Sequence, residues 1–324
     1  MIQIGSVQIA TNIFLAPLSG CSDLAFRLIA RECGAKFCFF EMVDAHSLLR
    51  PHPKRFDILR SSEQDRPIAG QLVGEKPELI RDAAQILIEQ VPIMFLDINS
   101  ACPVKKVVKK GAGAALLQEP QKLVQILSLL ASSLSIPITV KLRIGYYQVD
   151  MPALLDLVKS CEANGASAIF LHGRTRDQLY SGDVNYEAIR AVKAAVTIPV
   201  FGSGNILTPE LAKQMFDLTG CDGILVARGA FGNPWISRDI AYYLEHGTLP
   251  PEISFEERKS VLKRHLAYLR EFRMCSPAGK IGFMRKVTLW YLKGFPNASR
   301  QRGLINTIPD YETLIRFIDE HMPQ

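Results

Sequence analysis

Short apolar runs alternate with longer amphipathic stretches along most of this chain. The apolar runs at 13–16, 37–40, 68–72, 93–98, 138–142, 168–171, 199–201 and 223–226 are short and rich in Ile, Val, Leu and Phe, which predicts eight buried strands. Between most of them the apolar positions recur at helical spacing, at 77–90, 120–134, 152–164, 186–196 and 209–218. The junctions repeat. Ser135-Ile136-Pro137-Ile138 and Thr197-Ile198-Pro199-Val200 each turn from a helix into a strand, and Gly165 and Gly220 stand where a helix should stop. Eight β-α units in series predict an α/β fold of the TIM (β/α)8 barrel type. A doubly wound open sheet would carry an early Gly-x-Gly-x-x-Gly after a strand, and none stands there.

Beyond residue 250 the pattern changes to helical repeats alone. Phe255, Leu262, Leu266, Leu269 and Phe272 form one stripe, and Ile281, Met284, Val287 and Tyr291 a second. A barrel over 1–250 followed by a helical domain over 251–324 is the expected organisation. Charge divides at the same place. Residues 1–253 hold 25 Lys and Arg against 25 Asp and Glu, whereas 254–324 hold 13 against 7, the whole of the net charge of +6. A neutral large domain with a basic appendage points to a polyanion partner held by the C-terminal domain. The seven cysteines are scattered, with no Cys-x-x-Cys pair, so neither a disulfide framework nor a metal site is expected. No run has the length of a membrane span, and residues 1–12 lack a signal-peptide pattern, so a chain without membrane contact is expected, and the cysteine pattern points to the cytoplasm. A monomer is the expected state, although the sequence itself does not give it.

Barrel chemistry collects where strands end. Those ends carry Pro17-Leu18-Ser19, Glu41-Met42, Gln71, Asn99 to Cys102, Lys141-Leu142-Arg143, His172-Gly173-Arg174, Gly202-Ser203-Gly204-Asn205 and Ala227-Arg228-Gly229. Of Lys141 and Arg143, one is expected to point into the barrel and the other elsewhere. Cys102, beside Pro103 at the mouth of a strand, is a candidate proton donor or nucleophile. The glycine turn at 202–205 and Arg228 follow the seventh and eighth strands, where barrels commonly seat a phosphate on backbone N–H groups. Lys105, Lys106, Lys109 and Lys110 form a second basic cluster close to Cys102.

Taken in order, these segments resemble the tRNA-dihydrouridine synthases, nearest the bacterial B-type branch. The likeness is carried by Ala16-Pro17-Leu18-Ser19-Gly20, Glu41-Met42, Gln71-Leu72, Asp97-Ile98-Asn99 with Cys102-Pro103, Lys105-Lys106-Val107, Gly113-Ala114-Ala115-Leu116-Leu117, Lys141-Leu142-Arg143, His172-Gly173-Arg174-Thr175-Arg176, and Gly229 with Pro234-Trp235. It implies an FMN-bearing barrel, a helical domain that grips tRNA, and NADPH or NADH as reductant. It also implies roles. Pro17, Leu18 and Ser19 would pack on the flavin, with Gln71 and Lys141 on its pyrimidine edge and His172 near the ring. Ser203, Gly204, Asn205, Ala227 and Arg228 would hold its chain and phosphate. Asn99 would orient the uracil and Cys102 would be the general acid. Arg174, Lys105, Lys106, Arg285 and Lys286 would meet the RNA.

The chain departs from the family pattern at several places. Ala101 replaces the glycine before the cysteine, Leu18 a methionine, and Val287 a histidine after Arg285-Lys286. Ala101 strains its turn if that position needs a positive φ. The expected function is flavin-dependent reduction of uridine to 5,6-dihydrouridine in tRNA. An oxidoreductase of a small pyrimidine-like substrate, or an RNA-binding homologue with reduced activity, are the alternatives.

Overall fold

A computed structural model describes residues 1–52, 55–293 and 298–322. The chain opens with an antiparallel hairpin, β1 (Ile2–Ile4) and β2 (Val7–Ile9), turned at Gly5 with φ 54°. The hydrophobic pattern did not announce this element, since three-residue strands are too short to set a period. Next come β3 (Ile13–Leu15), β4 (Cys38–Phe39), β5 (Val43–Asp44), β6 (Ile68–Val73), β7 (Leu96–Ser100), β8 (Ile138–Arg143), β9 (Ala166–His172), β10 (Val200–Ser203) and β11 (Gly223–Val226). All pair in parallel, and the ring closes because β4 also pairs with β6. β5 continues the line of β4 along the upper half of β6, so the second barrel strand is broken around Glu41 and Met42. The eight expected strands are thus present among the described residues, each within a few residues of its expected bounds.

Alternation along the strands packs the barrel in layers. The lower layer is aromatic: Phe14, Phe37, Phe39, Phe95, Phe170 and Phe201 are all buried, with Phe37 and Phe95 stacked at 5.5 Å. Ile2, Ile4 and Ile9 of the hairpin join this cluster and cover it from below. The lower layer of the barrel interior is therefore filled by apolar side chains.

The surrounding helices are α1 (Leu24–Glu32), α2 (Ala45–Leu49), α3 (Pro77–Gln90), α4 (Lys105–Val108), α5 (Pro120–Ser133), α6 (Met151–Ala163), α7 (Tyr186–Ala195), α8 (Pro209–Thr219) and α9 (Ile236–His246). Their starts are written locally. Asp23, Asp150, Asn185 and Thr208 each accept a hydrogen bond from a backbone N–H of the first turn, and α3, α5, α6 and α8 carry proline there.

Four more helices follow: α10 (Phe255–Phe272), α11 (Pro277–Tyr291), α12 (Ala298–Ile305) and α13 (Tyr311–His321). Leu262, Leu266, Leu269, Ile281, Met284, Val287 and Tyr291 meet in one core with Ile305, Leu314 and Ile318, while Phe255 stays exposed. This core also takes in Ala25 and Ile29 of α1, Cys33 at its C-terminal cap, and Trp235. The helical domain therefore shares its core with a barrel helix. Many of its cations are spent inside the protein. Lys259 and Lys263 pair with Asp319, Arg264 with Glu32, Arg270 with Glu312, and Arg273 with Asp23. The α10 surface is thus less free to meet a polyanion than its charge count suggests. No helix among the described residues is long and apolar enough to cross a membrane.

Candidate active site

A cleft of about 370 Å³ opens where the barrel strands end. Residues two apart on a strand share a face, so β8 sends Thr139, Lys141 and Arg143 inward together. The expectation that Lys141 and Arg143 would diverge is corrected: both line the cleft. The same period brings Gln71 from β6, Asn99 from β7, His172 from β9 and Ser203 from β10 to the one cavity. Pro17, Leu18, Gly204, Asn205, Ala227 and Arg228 complete its wall, and Ser19 stands at its rim.

The floor is a chain of hydrogen bonds. Thr139 Oγ1 donates to Asp97 Oδ1 at 2.7 Å, Gln71 Nε2 to Asp97 Oδ2 at 2.7 Å, and Asn99 Nδ2 to Gln71 Oε1 at 2.7 Å. Asn99 Oδ1 accepts from the backbone N–H groups of Ala101 at 3.0 Å and Cys102 at 2.8 Å. Both ends of the Asn99 amide are therefore engaged within the protein, and its oxygen positions Cys102. Asp97 escaped the sequence reading as a site residue, although its place two residues before Asn99 put it on the same face. Burial pushes the Asp97 carboxyl up, and burial and then the Arg143 cation push the Lys141 ammonium down to about 8.

Cys102 lies half-buried at the end of this chain. Burial pushes its thiol up, against lowering by the Val104 backbone, Lys141, Arg143 and Lys106. It therefore stays protonated, which suits a proton donor better than a nucleophile. Its carbonyl accepts from Ala114 N–H at 3.0 Å. Gly113, at φ 61°, passes so close that a Cβ would sit 2.8 Å from that carbonyl oxygen. Ala101 carries no such constraint. Among the described non-glycine residues only Leu179 and Asn205 have positive φ, so alanine fits and the expected strain is absent.

On the opposite wall, Ser203-Gly204-Asn205 turns sharply, with φ 132° at Gly204 and 50° at Asn205. A Cβ on Gly204 would come 2.9 Å from Val184, and one on Gly229 would lie 2.2 Å from the Ile206 carbonyl oxygen. Arg228 Nη2 reaches Asn205 Oδ1 at 3.3 Å. Arg174 was expected at the RNA, but it is 1% exposed. It donates to the carbonyls of Ser181 at 3.0 Å and Gly182 at 2.6 Å, and its Nη1 lies 3.7 Å from where a Gly204 Cβ would be. Two guanidinium groups thus flank one glycine turn. Arg174 Nη1 and His172 Nε2 are both buried without a hydrogen-bond partner among the described residues. Burial and then the surrounding cations, Lys141 first, hold His172 neutral, well below the usual imidazole range.

The remaining expected contacts divide. Lys105 and Lys106 are exposed on α4 beside Cys102. Arg285 ties helices together, donating to the carbonyls of Ile308 at 2.8 Å and Asn306 at 3.0 Å. Lys286 is exposed but donates to the Gly20 carbonyl at 3.0 Å, and the N–H of Gly20 donates to the buried Glu41 carboxylate. Neither is a free cation: Arg285 is engaged within the C-terminal helices, and Lys286 joins them to the barrel at Gly20. Val287 is fully buried in the helical core. Sequence reasoning also missed Tyr180 and Phe231, which line the cleft. Phe231 stacks at 4.4 Å on Trp290 of α11. Neither pattern nor motif marks these two, because loops lack a period.

The family model described as "Dihydrouridine synthase (Dus)" matches residues 14–323. The chain is 37% identical over 306 residues to tRNA-dihydrouridine synthase B of Vibrio vulnificus (strain CMCP6), covering 94% of each chain. It is 35% identical over 324 residues to tRNA-dihydrouridine synthase B of Pseudomonas syringae pv. tomato, covering 100% of this chain and 95% of the other. In fold it is similar to the solved old yellow enzyme from Trypanosoma cruzi, with TM-score 0.57 at 12% identity over 79% of this chain and 94% of that one. The family model spans nearly the whole chain, barrel and C-terminal helices alike, and the chain belongs to the dihydrouridine synthase family.

Proposed function

We propose that this protein reduces uridine to 5,6-dihydrouridine in tRNA, with FMN held in the cleft and NADPH or NADH as reductant. The observation that carries the reading is one cleft that combines a protonated thiol, a lysine ammonium and a glycine turn flanked by two arginines. The cavity fits FMN by its donors. The unpartnered Arg174 Nη1 and the Arg228 guanidinium suit a phosphate at the Gly204 turn, where a Cβ would fill the space. The unpartnered His172 Nε2 is a neutral hydrogen-bonding atom inside the same cavity. When bound, reduced FMN supplies a hydride to C6 of the base.

The chain's own groups do the rest. Lys141 would bring positive charge to the bound cofactor, and Gln71, which retains one N–H after donating to Asp97, would hydrogen-bond to it. Cys102 Sγ–H gives its proton to C5, as its raised pKa permits. Asn99 fixes the Cys102 backbone from below and is a positioning residue. The uridine must leave its stack to enter a cavity this enclosed. Exposed Lys105 and Lys106 flank the route its backbone takes.

The test uses purified protein, FMN, NADPH and tRNA lacking dihydrouridine. Wild type should form dihydrouridine. Cys102→Ala should still oxidise NADPH but form it about 10²–10⁴-fold more slowly, the usual share of a general acid. A wild-type protein that turned over NADPH with FMN and never altered tRNA would refute the RNA substrate.

A further inference from the structure

Two loops at the cleft mouth carry an aromatic and cationic cluster that the reaction leaves unused. One follows β8 and holds Tyr146 and Tyr147, whose rings lie edge to face at 4.6 Å. The other follows β9 and holds Arg176, Leu179 and Tyr180. The loops are laced together by Arg176 N–H to the Gly145 carbonyl at 2.9 Å and Asp177 N–H to the Tyr146 carbonyl at 3.1 Å. Arg176 lies over the Tyr146 ring at 5.2 Å. Tyr180 stands between two cleft cations, with Arg143 at 5.8 Å and Arg228 at 5.1 Å from its ring centre. The large side chains point outward: Tyr147 is 66% exposed, Tyr180 52% and Leu179 47%. Leu179 is held at φ 52° while its carbonyl accepts from Arg143 Nη1 at 2.9 Å, so the rim is fixed to the cleft wall.

Tyr147 packs edge to face on Tyr146, which lies under Arg176, and Tyr180 lies beside Arg143 and Arg228 at the cleft wall. Exposed rings tied by hydrogen bonds into such a cationic frame match how proteins hold unstacked nucleobases. We infer that this rim, with Tyr147 at its outer edge, stacks the unpaired bases that neighbour the target uridine in the RNA. The inference rests on the tRNA reading above. When the uridine leaves the helix, its neighbours lose a stacking partner, and the rim replaces it. A protein partner fits less well, because the rings are interleaved with cations at a site that must admit a polyanion.

The test is RNA affinity as a function of salt, with FMN-loaded protein and unmodified tRNA. Tyr147→Ala should weaken binding roughly 5- to 150-fold, the range for loss of one stacked base. The slope of log affinity against log salt should not change, because a tyrosine ring neutralises no phosphate. Tyr147→Phe keeps the ring and should restore wild-type affinity. FMN occupancy and NADPH-dependent flavin reduction should match wild type in both. In the unmutated protein, tRNA should protect Tyr147 from nitration by tetranitromethane. Wild-type affinity in Tyr147→Ala overturns the inference, and so does failure of Tyr147→Phe to rescue or absence of protection. If Tyr147→Ala only dissociates a protein dimer, the rim is a protein interface and the inference is likewise overturned. A wild-type protein that neither binds nor modifies tRNA removes the underlying reading, whereas normal modification with an indifferent Tyr147 removes the rim alone.

Discussion

Burial drives Lys141 and Cys102 in opposite directions along the proton scale, and that difference sets a pH window. The Lys141 ammonium is pushed down to about 8, so it loses its charge as pH rises through that value. The Cys102 thiol is pushed up, so it keeps its proton beyond the ordinary thiol range. Single-turnover formation of dihydrouridine should therefore hold up to near pH 8 and fall above it, through Lys141 and not through the thiol. A pH profile measured on wild type and Lys141→Met separates the two. The limb should vanish in the variant, and a wild-type limb that began well above pH 9 would contradict the assignment. Arg228 has a narrower role at the glycine turn. One charge-assisted contact is worth about 1.5–3 kcal/mol. Arg228→Ala should then weaken FMN binding by roughly 10- to 100-fold, measured by fluorescence titration of the apoprotein. Arg174 sits at the same turn, so its removal should act in the same direction.

Among the elements, α10 shows how far a helix that looks like an RNA grip is committed to holding the fold. Its inner face buries His265 with Val261, Leu262, Leu266 and Leu269, and His265 Nδ1 lies 3.2 Å from the Tyr291 hydroxyl of α11. Burial pushes His265 down to about 4. In the unfolded chain an imidazole titrates near 6.5. The unfolded state therefore takes up this proton first as pH falls, and the folded state loses its advantage between 6.5 and 4. The loss amounts to about 3 kcal/mol when complete. Thermal denaturation between pH 7 and 4.5 should show the midpoint of wild type dropping more steeply than that of His265→Leu. Equal slopes would mean that His265 does not carry the acid sensitivity of this domain.

For the molecule as a whole, the barrel and the C-terminal helices share a buried core and are expected to stand or fall together. The C-terminal core encloses Ala25 and Ile29 of α1 and the capping Cys33 together with Trp235, and Trp290 stacks on Phe231 of the cleft wall. Gly232 packs so tightly under α11 that a Cβ would lie 2.1 Å from the Trp290 carbonyl oxygen. Removing 254–324 would expose these apolar surfaces and release the loop that carries Arg228 and Gly229. The truncated protein should aggregate or lose FMN, and not persist as a barrel that merely binds RNA less well. Size-exclusion chromatography and flavin titration of the truncation check this. A monomeric truncated barrel with wild-type FMN affinity would restore the view of a detachable RNA grip.

The barrel strands, their polar ends, the helix starts and the family motifs were legible in the chain because they are local. A period of 2 or 3.6 records which face is buried, a cap or proline acts within a few residues, and motif residues lie side by side. That is why Cys102, Lys141, His172 and the glycine turn at 203–205 could be placed at one mouth before any packing was known. Partnership is not local. Asp319 claims Lys259 and Lys263 from the far end of the helical domain, and the carbonyls of Ile308 and Asn306 claim Arg285. Asn99 binds inward to Gln71 and the Cys102 backbone, and Arg174 turns in behind Gly204. A charge or an amide written in a sequence states only what it can bind. Which partner it meets, and so whether it faces a ligand or closes a gap between elements, was decided by distances between segments that only the folded chain brings together.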